Sequence, residues 1–488
     1  MRAGRVFYLL GRVIVVVGAA MLLPLVCALF YREPDAYAFG LAMLLTCSCG
    51  LLLGWLCRSH RQEVMRKRDS FLFVTLAWVL ASFFAGLPFL FAGSFDNMAS
   101  AFFEAMSGLT TTGASAMADV EIMPHCILLW RALTHWLGGA GIVLLFIALI
   151  QPGSNTGEGA VILKSEYSGN VLAERVAARS EENAAAVFRV YLALTAACIL
   201  ALRLTGMDLF DTVCHALATV STGGFSTKNL SVGHFNNPAA EWVIAVFLFL
   251  SSLNMALYYL FFVRHRFRKV LRDNELCLFT IITVVATVLI TVSLRQNFYQ
   301  QEGWLYSLRL AFFQVASIIS TGGFATADFD QWPDLARLLL LALLFVGGCA
   351  GSTAGGIKVN RFHIAFAGAG AQLRSVIRPH SVHKVHYNGH AVNQDALYAV
   401  GVFIFLYLML AAAGCLLLTM MGLDWLEAFV AALTALSNVG PGIGSMGPVG
   451  NYAAVPALGK YLLSFLMLAG RLELYTVLAL FLPSFWRR

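Results

Sequence analysis

A short glycine-containing phrase that recurs four times constrains this chain more than any other feature. The clearest copies are Ser320-Thr321-Gly322-Gly323 and Ser221-Thr222-Gly223-Gly224. A looser copy is Thr111-Thr112-Gly113-Ala114, and a degenerate one is Asn438-Val439-Gly440-Pro441. Each copy follows a short amphipathic segment and lies between two long apolar segments. This pattern indicates one structural unit used four times, and four such units can close a ring around an axis.

The apolar composition places these repeats in a membrane. The chain of 488 residues is 59% hydrophobic and 12% charged, whereas soluble domains carry about 25% charged residues. Each transmembrane helix needs roughly 20 apolar residues. We therefore expect an all-α polytopic membrane protein whose first helix is an uncleaved span rather than a signal peptide. The ten predicted transmembrane helices are residues 13–30, 37–57, 70–92, 126–150, 186–206, 240–263, 275–294, 335–357, 395–421 and 457–483.

The ten spans group into an N-terminal hairpin and four pseudo-symmetric repeats around one pore. Each repeat is a span, a short pore helix, a turn and a second span. The predicted pore helices are residues 97–110, 209–220, 304–319 and 425–437. The predicted domains are 1–69 for the hairpin and a basic loop, 70–182 for repeat 1 and its following loop, 183–273 for repeat 2, 274–391 for repeat 3 and 392–488 for repeat 4.

The basic residues set the expected orientation. They concentrate in loops at 58–68, 151–185, 264–269 and 358–384 and in the C-terminal tail. With ten spans and a cytoplasmic N-terminus, all of these segments are cytoplasmic, as the positive-inside rule requires. Both termini are then cytoplasmic, and all four glycine turns lie on the outer side. The net charge of +7 thus reflects topology and predicts no nucleic-acid partner.

The composition of the turns favours cation conduction. Backbone carbonyls from four chain segments can replace the hydration shell of a cation, and glycine permits the dihedral angles that aim consecutive carbonyls at one axis. The turns carry no formal charge, so selection would rest on backbone oxygens.

A second glycine cluster predicts a gate in repeat 3. Glycine is too frequent between residues 347 and 356 for an undisturbed helix, so we expect a broken helix that forms an intramembrane loop below the filter. Close helix packing of the GxxxG kind is the alternative. The glycines of this predicted gating loop are Gly347, Gly348, Gly351, Gly355 and Gly356.

Arg471 is the other predicted gate residue. It lies deep in the last predicted span, where a charge is costly and points to function. An ion pair with Glu473 is not favoured, because residues i and i+2 do not share a helix face. We expect Arg471 to face the pore and to contact the gating loop. The alternative without a functional role is that its side chain snorkels to the membrane interface.

Four histidines in the cytoplasmic segment before the ninth span allow two interpretations. His380, His383, His386 and His390 could hold a metal, but no cysteine or carboxylate accompanies them. A solvated basic loop or docking surface is the preferred interpretation.

These motifs together resemble the superfamily of Trk, Ktr and HKT cation transporters, and most of all its bacterial TrkH/TrkG type of membrane subunit. The similarity rests on the four turns, the extra hairpin, the stretch GGCAGSTAGGIKVNR and the stretch AGRLELYT. It implies potassium uptake across the inner membrane by a homodimer in contact with lipid. The implied K⁺ filter residues are Thr111, Thr112, Gly113, Ser221, Thr222, Gly223, Ser320, Thr321, Gly322, Asn438, Val439 and Gly440.

The resemblance also implies a partner. Members of this superfamily dock on a ring of cytoplasmic nucleotide-binding regulatory subunits of the TrkA type, so the nucleotide belongs to the partner. This chain has no P-loop pattern, and K⁺ is its expected ion. The first-repeat glycine favours potassium over sodium, whereas the divergent fourth turn makes the filter only pseudo-fourfold.

Three other functions compete with a gated potassium conduit. A K⁺/H⁺ or K⁺/Na⁺ symporter could use the same scaffold, with Glu104, His135, His215 and Glu473 as possible relay members. A membrane-embedded enzyme would need a constellation of catalytic groups that the spans do not show. A purely structural role would leave the register of the four turns without a reason.

Overall fold

The computed structural model describes residues 3–63, 65–149, 180–263, 265–378 and 384–487. The fold within these ranges is almost entirely helical, with one short β-hairpin. The α-helices are α1 Ala3–Ala20, α2 Leu22–Tyr31, α3 Ala36–Leu56, α4 Lys67–Phe91, α5 Met98–Leu109, α6 His125–Leu149, α7 Ser180–Leu204, α8 Leu209–Val220, α9 Pro238–Ser251, α10 Met255–Tyr258, α11 Phe267–Leu271, α12 Asn274–Asn297, α13 Trp304–Ile319, α14 Asp334–Leu343, α15 Val359–Ile377, α16 Gln394–Met420, α17 Trp425–Ser437, α18 Ala457–Arg471, α19 Tyr475–Leu478 and α20 Pro483–Trp486.

Short 3₁₀ segments and the hairpin complete the described fold. A π-helical turn, Tyr259–Val263, continues α10. The two strands β1 His386–Tyr387 and β2 His390–Ala391 pair antiparallel. The 3₁₀ segments are Arg58–His60, Ser231–Phe235, Phe329–Gln331, Gly444–Met446 and Ala479–Phe481.

Several long helices are suited to a bilayer, and some of the predicted spans are broken. Among the described residues, six helices are long and apolar enough to cross a membrane, and bent pairs raise the number to eight. The predicted sixth and tenth spans are broken rather than continuous: α9 meets α10 at 95°, and α18 meets α19 at 114°. The predicted eighth span contributes only the ten residues of α14.

Local backbone conformation explains the break in the tenth span. Glu473 has φ 57° and Leu474 has φ 51°, so two consecutive residues are left-handed. An L-residue helix cannot continue through that conformation, which costs roughly 1–2 kcal/mol per residue. The side chains around these two residues must therefore hold the bend in place.

The four short helices agree with the sequence prediction. Helices α5, α8, α13 and α17 lie within one residue of the predicted bounds. Three of them begin with a side-chain cap: Asn97 accepts from Ser100 N, Asp208 from Phe210 N and Asp424 from Leu426 N. The bounds of these helices could be predicted from the sequence because apolar length and capping are local properties.

The N-terminal hairpin is fastened to the repeats through Glu33. Its carboxylate accepts hydrogen bonds from the backbone N–H groups of His125, at 2.6 Å, and Cys126, at 3.0 Å. These groups are the unsatisfied donors at the start of α6. Burial tends to raise the pKa of Glu33, but the hydrogen bonds from Cys126 and His125 hold it below its ordinary value.

The predicted basic loop at 358–384 is wrong as a loop. Residues 359–377 form α15, and two of the charges assigned to the surface, Lys358 and Arg361, are buried. The prediction missed this because Lys and Arg at a break between apolar segments usually lie in water. The segment 151–179, with Lys164, Arg175 and Arg179, falls outside the described residues.

Candidate functional site: a ring of four turns

Each short helix ends in the same hydrogen-bonded turn. The N–H groups of Thr112, Gly223, Gly322 and Val439 donate to the carbonyl five residues earlier, at 2.8, 2.8, 2.7 and 2.9 Å. This bond is the signature of a Schellman motif at a helix C-terminus. The motif repeats in all four units, so it defines which residues of the four turns are equivalent.

The residue that precedes these donors has a left-handed backbone in every turn. The φ angles are 53° at Thr111, 55° at Thr222, 58° at Thr321 and 56° at Asn438. Glycine is the usual residue at this position, and a β-branched residue there is an outlier. Backbone outliers of this kind cost about 1–3 kcal/mol and cluster at functional sites.

The equivalence differs by one residue from the register that the sequence suggested. Matching the phrases by their first glycine pairs Gly113 with Gly223 and Gly322. The backbone instead pairs Gly113 with Gly224 and Gly323, which share its positive φ. Thr112 is thus the counterpart of Gly223, because the threonine that takes the left-handed conformation sets the register.

The four turns contact one another in cyclic order. A Cβ added to Gly113 would collide with the carbonyl oxygen of Gly223, and one on Gly224 would collide with that of Gly322. In the same way, Gly323 faces the carbonyl of Val439, and Gly440 faces that of Thr112. The fourth turn therefore closes on the first, and each left-handed glycine lies against a carbonyl of the next turn.

A cavity of about 110 Å³ opens on one side of this ring. All four left-handed glycines line it, together with Ser115, Arg131, Lys228 and Tyr452, and its lining includes no carboxylate. A cation that reaches the ring from this cavity would meet backbone carbonyls rather than acidic side chains.

The predicted break in the eighth span is confirmed. The chain between α14 and α15 is not helical; it forms a loop closed by a parallel bridge between Val346 and Ile357. Gly347 N donates to Ile357 O at 2.9 Å, and a Cβ on Gly347 would collide with the carbonyl of Gly355. The glycines thus allow two strands of the loop to approach closely.

Two of the strained threonines hold this loop against the ring. Thr321 Oγ1 accepts a hydrogen bond from Gly355 N at 2.7 Å, and Thr222 Oγ1 lies 3.3 Å from Thr353 Oγ1. Thr353 also donates to Ser251 O at 3.2 Å. These hydroxyl contacts give a reason for threonine, rather than glycine, in the left-handed position.

The structure brings Arg471 against the same loop. Arg471 is the last residue of α18 and is 3% exposed; its Nη1 donates to Thr353 O at 2.7 Å. Glu473 instead pairs with Arg361 at 2.5 Å, and Arg361 lies 3.7 Å from the centre of the Phe403 ring. Arg471 and Glu473 therefore have different partners, as expected from their positions i and i+2.

The chain is similar to known proteins in both sequence and fold. A family model described as "TrkH: Cation transport protein" matches residues 37–488. The chain belongs to this family. It is 34% identical over 481 residues to the "Trk system potassium uptake protein TrkH" of Escherichia coli K12, with 98% of each chain covered. It is 33% identical to the TrkG protein of the same strain over 485 residues, 99% of this chain and 98% of that one.

A solved structure agrees with the sequence relatives. The chain matches the crystal structure of the potassium transporter TrkH from Vibrio parahaemolyticus with a TM-score of 0.90 and 32% identity, over the whole of both chains. The TrkH family is a family of transport proteins rather than enzymes.

One residue beside the loop that sequence reasoning missed is Glu275. Its Oε1 accepts from Ala350 N at 2.7 Å and from Asn360 N at 3.2 Å, so it joins the loop to the start of α15. Its neighbour Asp273 accepts from Asn388 Nδ2 at 2.9 Å at the tip of the β-hairpin. In the sequence, Glu275 looks like an ordinary acidic residue in the first turn of a helix, and only its burial distinguishes it.

A second missed feature is the ion pair between Glu104 and Arg131. Glu104 is fully buried; its Oε1 lies 2.8 Å from Arg131 Nε, and its Oε2 accepts from Ala116 N at 2.8 Å. Arg131 Nη1 also donates to Ser226 O at 2.9 Å. The pair therefore connects the chain segments that follow the first and second turns.

The remaining candidates from the sequence are histidines, and the described part of the chain does not show them as ligands. His386 and His390 lie exposed on the β-hairpin, while His380 and His383 are outside the described ranges. Within those ranges no group of three or more His, Cys, Asp or Glu side chains could hold a metal ion. His215 is hydrogen-bonded on both sides, to Asp211 O at 2.8 Å and to Ser226 Oγ at 3.0 Å.

Proposed function

We propose that this chain takes up K⁺ across the bacterial inner membrane through a pore whose selectivity filter is the ring of four turns. The observation that carries the proposal is the cyclic contact of four glycine turns with the carbonyl of the next turn. The printed names of its relatives, which are potassium uptake proteins, support K⁺ as the ion.

The filter would work through backbone oxygens. Four turns supply rings of carbonyls that replace the hydration shell of K⁺. The C-termini of α5, α8, α13 and α17 end at the ring, and the negative ends of helix dipoles favour a cation there. The four repeats around one axis then form a single pore, with Thr112 and Val439 in the places that Gly223 and Gly322 occupy in the other turns.

The loop at residues 347–356 and Arg471 would form the gate. The loop is hydrogen-bonded to the rear of the ring through Thr222 and Thr321, and Arg471 holds its centre at Thr353. A guanidinium beside the path repels a cation, so conduction requires the loop and Arg471 to move away.

Regulation would come from outside this chain. In this proposal the protein is a homodimer in the inner membrane with both termini in the cytoplasm, and a cytoplasmic ring of nucleotide-binding subunits of the TrkA type controls the gate. The exposed basic residues Arg268, Lys269 and Arg272 lie in the loop assigned to the cytoplasm by charge. In this orientation, the cavity lined by the four left-handed glycines opens on the outer side of the membrane.

Ion flux in liposomes tests the proposal. Purified protein is reconstituted, and K⁺ and Na⁺ fluxes are measured with and without an imposed proton gradient. We expect K⁺ flux to exceed Na⁺ flux and to follow the K⁺ gradient alone. K⁺ accumulation driven by the proton or Na⁺ gradient would replace the conduit with the symporter, and equal K⁺ and Na⁺ fluxes would contradict a selective filter.

A further inference from the structure

The second turn packs against an imidazole ring at Gly223. His135, on α6, is fully buried, and its ring occupies the place that a Cβ on Gly223 would take. The carbonyl of Gly223 is the one that faces Gly113 in the ring of turns. His135 therefore touches a residue of the proposed filter.

The same imidazole also stacks on the next aromatic residue of that turn. The ring centres of His135 and Phe225 are 4.1 Å apart, with an angle of 11° between their planes. Arg131, one helical turn earlier on α6, lies 4.1 Å from the centre of the same Phe225 ring. One helix of the first repeat thus holds the second turn at Gly223 and at Phe225.

Neither ring nitrogen of His135 has a hydrogen-bond partner among the described residues. A buried polar group without a partner is costly and needs an explanation. The third turn provides an internal comparison, because the equivalent place behind Gly322 is filled by Leu248. An aliphatic side chain can therefore support a turn without that cost, but it cannot stack flat on a phenyl ring.

We infer that His135 is a specificity-determining positioning residue, which sets the position of the Gly223 carbonyl by stacking on Phe225 as a flat ring. The close, nearly parallel stack on Phe225 indicates that the shape of the ring is the property used. If the Gly223 carbonyl can move away from the ion, the size of the ring no longer favours K⁺ over the smaller Na⁺. This inference rests on the proposed function of the ring as a K⁺ filter.

Two substitutions separate ring shape from polarity. His135→Leu keeps an apolar side chain of similar size but removes the flat stack, and we expect the K⁺/Na⁺ permeability ratio to fall by about 3- to 10-fold, the range of an aromatic pair. His135→Phe keeps a flat ring without nitrogens, and its ratio should stay within about twofold of the parent's. The ratio is measured in liposomes from bi-ionic K⁺/Na⁺ potentials on the full-length protein.

Two further variants serve as controls. Leu202→Ala removes a fully buried side chain of α7 that is not part of a turn, so it reports general loss of stability and should leave the ratio unchanged. Phe225→Leu should lower the ratio, and the double variant with His135→Leu should lower it no further, because both remove the same stack.

These measurements distinguish a failure of the His135 inference from a failure of the proposed filter. A parent protein without K⁺ selectivity contradicts the filter itself. A selective parent with a selective His135→Leu variant overturns the role of His135. A fall in His135→Phe equal to that in His135→Leu, or additive effects with Phe225→Leu, shows that the flat stack is not the cause and overturns the inference as well.

Discussion

The guanidinium of Arg471 donates a 2.7 Å hydrogen bond to the carbonyl oxygen of Thr353. The two residues are 118 positions apart in sequence and belong to different repeats. The bond joins the end of α18 to the middle of the intramembrane loop, and Thr353 Oγ1 in turn lies beside Thr222 of the second turn. A movement of α18 can therefore reach the ring through one loop residue.

Replacing Arg471 should open the path. Arg471→Ala removes both the bond to Thr353 and a positive charge, and we expect basal K⁺ flux to rise about tenfold, which corresponds to a barrier lower by about 1.4 kcal/mol. Flux is measured in liposomes without the regulatory partner. Arg374→Ala, at an exposed position of α15, is the matched control, and equal fluxes in the two variants would contradict the gate.

A side chain on Gly113 should disturb the filter. Gly113 has φ 80° and faces the Gly223 carbonyl without room for a Cβ, so Gly113→Ser must displace one carbonyl. We expect the K⁺/Na⁺ permeability ratio to fall about tenfold, a free-energy change of about 1.4 kcal/mol. Gly206→Ser is the control, since Gly206 has φ 89° with open space around it. A parental ratio in Gly113→Ser would argue against the filter assignment.

Removing one hydroxyl should loosen the loop without changing the turn. Thr321→Val keeps the β-branched shape but deletes the acceptor of Gly355 N. An unpaired buried N–H costs about 1–3 kcal/mol, so the loop should leave the ring more often and basal K⁺ flux should rise severalfold. Thr280→Val, which deletes a hydroxyl within α12, should conduct like the parent. If the two valine variants behave alike, the link between ring and loop has no role in gating.

The buried carboxylate of Glu275 should stabilise the loop. Glu275→Gln retains an acceptor for Ala350 N and Asn360 N but replaces the carboxyl group by an amide, and we expect the free energy of unfolding to fall by about 1–2 kcal/mol. Thermal unfolding in detergent measures this loss, and basal flux should rise with it. Glu302→Gln, at an exposed position, is the control. An unchanged transition in Glu275→Gln would show that the anchor contributes little.

Breaking the Glu104–Arg131 pair should be more costly. Loss of one partner leaves an uncompensated buried charge, and such changes cost about 3–5 kcal/mol. We expect Glu104→Gln to lower the unfolding temperature more than Glu275→Gln does, in the same detergent assay. The reverse order would mean that the segments after the first two turns do not depend on this pair.

The local elements of the fold could be predicted from the sequence alone. Apolar length identified the membrane class and the four short helices, three of which have caps that act within one helical turn, at Asn97, Asp208 and Asp424. The glycines around residue 350 indicated the break between α14 and α15, since helix propensity is also local. The sequence did not predict the bend in the tenth span, where the left-handed residues Glu473 and Leu474 turn the chain.

The partners of the buried polar groups were decided by the tertiary structure. The sequence predicted that Arg471 contacts the loop, but the choice of Thr353, the Glu473–Arg361 pair and the Glu275 anchor are long-range contacts that no short sequence pattern encodes. The register of the turns belongs with them, because it depends on which residue takes a left-handed φ when four helix ends meet. By itself the sequence determined that four short helices end in glycine turns within a membrane protein. Packing decided which glycines face which carbonyls, since the approach of two backbones is a property of their positions in space rather than of either segment.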